Sequence, residues 1–65
     1  MNKKSYSSTD IIKLLENAGF ILDRVKGSHH IYFNPLNKKR AVVLHPKKDL
    51  PIGTARSILK QAGIE

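Results

Sequence analysis

Two segments of this chain carry the same spacing of apolar residues, and they bracket everything between them. Ile11, Leu14, Leu15 and Ala18 fall at i, i+3, i+4 and i+7, and Ala55, Ile58, Leu59 and Ala62 repeat that interval near the other end. Such spacing lays one apolar stripe along a helix and leaves the remaining surface polar. In SSTDIIKLLENAG, Ser7 is placed to cap the first helix, with Asp10 at the third helical position as a short form of the capping-box acid. Gly19 supplies the left-handed residue that ends it. In LPIGTARSILKQAGIE, Pro51 suits a first turn and Gly63 closes the second helix.

The segment between the helices has strand character. FILDRV, residues 20 to 25, is rich in β-type residues and is followed by Lys26-Gly27 as a turn signal. A second strand spans Ser28 to Asn34 and stops at Asn34-Pro35. A third, RAVVLH from Arg40 to His45, is ended by Pro46. Short strands joined by tight loops favour an antiparallel meander, so the expected order is α-β-β-β-α, an α+β fold. Each helix has one apolar stripe and the sheet needs cover on at least one face. Both helices are therefore expected on the same side of a three-stranded antiparallel sheet, with the opposite face wet or available to a partner. That is the architecture of a double-stranded-RNA-binding domain in miniature.

Size and charge limit what such a fold can be. The 65 residues make a single domain, read here as 1–65, and a domain this small buries only about 60% of the surface its unfolded chain exposes. There is no cysteine to add a disulfide or a thiolate metal site. A reducing cytoplasm fits. The segment MNKKSYSSTD lacks the apolar stretch of a signal peptide, and no apolar run approaches the roughly 18 residues of a membrane span. Twelve Lys and Arg stand against five Asp and Glu, a formal charge of +7 spread from Lys3 to Lys60. Polyanions are the natural partners of such a field.

The least ordinary stretch is KGSHHIYF, residues 26 to 33, where two adjacent histidines follow a glycine and a serine. Alternation along a strand puts Val25, Gly27, His29, Ile31 and Phe33 in one row and Lys26, Ser28, His30, Tyr32 and Asn34 in the other. The more apolar first row is expected to face the helices. His30 is then the solvent-facing histidine, and His29 points toward the core or its rim, where a bond to a backbone carbonyl would explain it. Gly27 allows a positive φ or a bulge, and either would re-aim the residues after it. Adjacent strand residues point apart and cannot readily share a metal ion, and His45 has neither cysteine nor a carboxylate cluster beside it. No metal and no other cofactor is expected.

A histidine, with an unperturbed pKa of about 6.5, exchanges protons near neutrality, and Lys26, Lys47 and Lys48 would bring it to a phosphate. RNA carries its own nucleophile. The protein need only take the proton of the 2′-hydroxyl, or give one to the leaving 5′-oxygen, while cations stabilise the charge developing on phosphorus. The acids Asp10, Glu16, Asp23, Asp49 and Glu65 are scattered, with no evident pair for a two-metal nuclease. Lys47 and Lys48 read as backbone contacts to RNA, Tyr32 either as a base-stacking residue or as a packed one, and Arg56 and Lys60 as a solvated face.

The chain resembles the HicA family of toxins, also described as YcfA-like. The resemblance is nearly full length and rests on AGF at 18–20, RVKGSHHIY at 24–32, VVLHPKKDLPIGT at 42–54 and ILKQAGI at 58–64. It implies a double-stranded-RNA-binding-like fold, a messenger-RNA-cleaving ribonuclease activity and a HicB-type antitoxin partner. It also places the catalytic histidine in a glycine-serine-histidine motif, here Gly27, Ser28 and His29. His29 is thus the expected catalytic group and His30 the second candidate, with Lys26, Gly27, Ser28, Lys47 and Lys48 expected at the RNA. The alternative is a module that holds structured RNA without cutting it.

Overall fold

A computed structural model of the protein describes residues 5–64. Residues 1–4 and 65, which belong to the 1–65 domain reading and include Lys3 and Glu65, lie outside the described residues. The elements are β1 (Ser5–Tyr6), α1 (Ser8–Asn17), β2 (Ile21–Lys26), β3 (His29–Phe33), β4 (Arg40–Leu44), β5 (Leu50–Pro51) and α2 (Ile52–Gln61). Strands β2, β3 and β4 form the expected antiparallel meander in that order. The sequence gives no clear signal for the second, two-stranded sheet, in which Ser5 pairs with Pro51 and Tyr6 with Leu50.

Helix α1 begins as its cap residues dictate. The Asp10 N–H donates to Ser7 Oγ at 3.1 Å and the Ser7 N–H donates to Asp10 Oδ2 at 3.2 Å, so two of the otherwise unsatisfied first-turn donors are met. Gly19 ends the helix at φ 97° and Gly63 follows α2 at φ 75°, left-handed values that a side chain would oppose. Pro51 stands one position earlier than expected, as the residue capping α2 rather than inside it. Of the first stripe, Ile11 and Leu15 are fully buried whereas Leu14 is 37% exposed and Ala18 lies at the surface. Ala55, Ile58, Leu59 and Ala62 of the second are all buried.

One core joins both helices to one face of the sheet: Ile11 and Leu15 from α1, Ala55, Ile58 and Leu59 from α2, and Tyr32, Ala41 and Val43 from β3 and β4. The inward row of β3 is therefore His30 and Tyr32, opposite Val43 and Ala41. This reverses the sequence expectation. Tyr32 is 4% exposed and packs in the core, while Ile31 and Phe33 face away from the helices. Burial, and secondarily the negative charge of Glu16, raises the Tyr32 phenol pKa above its usual value, so the ring serves the core as a neutral group. Asn34, read as a strand stop, is buried and structural. Its Nδ2 donates to the Ala18 carbonyl at 3.0 Å and its Oδ1 accepts from the Leu36 N–H at 2.9 Å, tying the end of α1 to the β3–β4 loop.

Candidate active site on the open sheet face

The hairpin β2–β3 sets the site. Lys26 pairs with His29 across the two-residue turn Gly27-Ser28. Gly27 has φ 61° and, among the described residues, Ser28 is not positive. A positive φ at the first loop position alone is the type II′ arrangement, whose twist suits a hairpin. A Cβ built on Gly27 would meet nothing within 4 Å, so conformation rather than crowding requires glycine here, and the backbone stands open to an approaching ligand. The bulge allowed at Gly27 lies instead in β2, between Leu22 and Arg24. Alternation through β3 is regular, and it is the phase that differs from the expectation: His29 is exposed on the open face and His30 is half-buried toward the helices.

Cross-strand pairing arranges the open face in three rows: Lys26, His29 and Leu44; then Arg24, Ile31 and Val42; then Ile21, Phe33 and Arg40. Directly opposed residues have Cβ atoms about 4.5–5.5 Å apart, which puts the Lys26 stem beside the His29 ring. Ile21 is 58% exposed, Val42 41% and Leu44 38%. Basic and apolar side chains alternate across this surface, and among the described residues no element covers it. Asp23, at the bulge, accepts from Arg40 Nη1 at 3.0 Å and lies 3.7 Å from Arg24 Nε.

On the other side of β3 a different cluster forms. Ser8 Oγ and His45 Nδ1 are 2.6 Å apart, the Lys47 N–H donates to Ser8 Oγ at 2.9 Å, and the His45 ring meets His30 edge-on with centroids 4.9 Å apart. Ser8 is buried, and His30 Nδ1 is buried without a hydrogen-bond partner. Lys47 and Lys48 line a cleft with Ser7, Ser8, Thr9, His45 and Pro46. Of the expected RNA-contacting residues, Lys26, Gly27 and Ser28 thus gather with His29, whereas Lys47 and Lys48 gather with His45 and the start of α1. The groups meet at one end of the sheet, where the His45 N–H donates to the Ser28 carbonyl at 2.8 Å. Among the described residues no group of three or more His, Asp or Glu side chains is placed to hold a metal ion, and no helix is long and apolar enough to cross a membrane.

The family described as HicA toxin of bacterial toxin–antitoxin has a sequence model that matches residues 8–64. The chain belongs to this family. Comparison with curated proteins gives no match. Membership makes the chain the toxin component of a toxin–antitoxin system, a kind of protein with an antitoxin as its counterpart. The two-helix, three-stranded toxin fold leaves one sheet face uncovered, and His29 stands on that face.

Alternation along β3 groups Phe33 with His29 but turns both toward the helices, and it gives no sign that Arg24 and Arg40 share the open face with them. The signal was present in RAVVL, where small Ala41 alternates with Arg40 and Val42. Arginine marks the solvent face of that strand, and pairing carries the assignment to β3.

Proposed function

We propose that this toxin is an endoribonuclease that cleaves messenger RNA in the cytoplasm by proton transfer at His29, needs no metal ion, and is silenced by a HicB-type antitoxin. The observation that carries the reading is the exposure of His29 on an uncovered sheet face, opposite Lys26 and beside a turn whose glycine leaves the backbone open. Imidazole in this setting takes the proton of a 2′-hydroxyl as the 2′-oxygen bonds to phosphorus and the P–O5′ bond breaks; the 5′-oxygen leaves with a proton from water. Lys26 offsets the negative charge that grows on the phosphoryl oxygens. The products are a 2′,3′-cyclic phosphate, open to hydrolysis, and a 5′-hydroxyl. Gly27 and Ser28 contribute the approach to the phosphate, and Lys47 and Lys48 hold a more distant part of the strand. His30, half-buried against His45, is the second candidate for the proton transfer.

An antitoxin that silences this site must cover His29 and offset a formal charge of +7, so an acidic contact surface is expected on it. The test is incubation of the purified toxin with messenger RNA in excess chelator, with analysis of the new ends. Internal cleavage giving cyclic or 2′/3′-phosphate and 5′-hydroxyl ends is expected. RNA that is bound but left intact would replace the enzyme with a binding module.

A further inference from the structure

The third row of the open face holds an assembly that neither the fold nor proton transfer requires. Arg40 Cζ lies 4.7 Å from the centroid of the Phe33 ring, and its Nη1 donates to Asp23 Oδ2 at 3.0 Å. The Arg40 side chain is nevertheless 56% exposed. A guanidinium with one face on an aromatic ring and one edge tied to a carboxylate has lost much of its freedom. Its remaining broad surface turns to solvent.

We propose that Arg40, laid on Phe33 and tethered by Asp23, is a stacking platform for an unpaired base of the RNA whose backbone is cut at His29. The proposal rests on the ribonuclease reading and names the substrate class for that site: RNA that is single-stranded across the sheet. Three observations support it. First, an exposed arginine already paired with an acid is a poor phosphate anchor, since a phosphate would compete with Asp23, whereas a base stacks on the guanidinium plane without disturbing that pair. Second, Phe33 is four residues from His29 on the same face of one strand, about 13 Å at roughly 3.3 Å per residue. An extended RNA strand reaches both with its bases on the sheet, and Ile31 and Val42 between them offer an apolar surface for the intervening bases. Third, the rows carry Lys26, Arg24 and Arg40 against the single carboxylate of Asp23, so the face is complementary to a polyanion. Tyr32, the aromatic residue that the sequence offered for stacking, is 4% exposed in the core and is replaced in this role by the Arg40–Phe33 pair.

Arg40→Lys separates stacking from charge, because lysine keeps the cation and can keep the Asp23 pair but has no plane. The experiment measures binding of wild type and Arg40→Lys to a short 2′-O-methyl oligonucleotide, which lacks the nucleophile and cannot be cut, and to a series of the same strand with one base removed at each position in turn. Cleavage of ordinary RNA is followed in parallel. Arg40→Lys is expected to weaken binding about five- to fiftyfold, within the range for loss of one stacked base, with the salt dependence unchanged. Removing the base at one position should abolish the difference between the two proteins. Equal binding by the two overturns the platform, as does a loss accompanied by a fall in salt slope of about 0.7, the mark of a lost phosphate contact. A variant that binds RNA normally but changes self-association in sedimentation overturns it in favour of a protein contact. If wild type cuts RNA without regard to Arg40, only the platform falls; if wild type neither binds nor cuts, the ribonuclease reading falls with it.

Discussion

On one side of β3, His30 and Tyr32 stand opposite Val43 and Ala41 beneath the helices; on the other, His29, Ile31 and Phe33 stand uncovered among Lys26, Arg24 and Arg40. The covered side of the strand holds two rings that carry polar atoms, His30 and Tyr32, and the uncovered side holds its two wholly apolar residues, Ile31 and Phe33, beside His29. Two ten-residue helices can roof only part of the sheet, and the residues that fit beneath them are those whose shapes close the core, with alanine at position 41 making room for the Tyr32 ring. Apolar side chains beyond that capacity remain outside. This uncovered apolar row interlaced with cations is the surface that the proposed function assigns to RNA.

The contrast can be broken most severely at its core. Ile11 is fully buried and Ile21 is 58% exposed on the open face. Ile11→Ala is expected to cost about 2–5 kcal/mol, a large part of the stability of so small a domain, while Ile21→Ala falls within about 0.5 kcal/mol, as for an ordinary surface change. Denaturant unfolding of both checks this, and similar losses would mean that the open face is part of the folding core. A smaller effect is expected at Ser8, which links His45 to the Lys47 N–H from a fully buried position. Ser8→Ala leaves that N–H without its hydroxyl acceptor and should lower stability by about 1–3 kcal/mol, with RNA cleavage by the folded protein retained. The smallest effect is electrostatic. Lys26→Ala should reduce the slope of log affinity against log salt for single-stranded RNA by about 0.7, the contribution of one phosphate contact, without lowering the melting temperature.

Much of this was legible in the sequence because it is local. The cap at Ser7 and Asp10, the glycines at 19 and 63, the two helical stripes and the three strand runs each depend on residues close in the chain. The face of β3 was not legible from β3 itself, since Ile31 and Phe33 outweigh Tyr32 in apolar character and the deciding facts lie across the sheet, in Ala41 and Val43. The β1–β5 pair was hidden for a similar reason: Ser5-Tyr6 and Leu50-Pro51 are too short for any periodicity, and their pairing joins segments far apart in the chain. At the candidate site, Gly27, Ser28 and His29 are marked by the family resemblance, whereas alternation along the strand favours His30 as the solvent-facing histidine. The company His29 keeps, Arg24 in the next row and Arg40 with Phe33 beyond it, depends on register.

On the proposed reading, β3 divides its two histidines between different tasks, proton transfer for His29 and packing for His30. Comparing His29→Ala with His30→Ala, each followed for RNA cleavage and thermal stability in the same buffer, tests it most directly. His29→Ala is expected to melt like wild type yet to cleave about 10²- to 10⁴-fold more slowly, whereas His30→Ala is expected to melt lower and, while folded, still to cut. A folded His30→Ala protein that fails to cut, beside a His29→Ala protein that cuts normally, would contradict it.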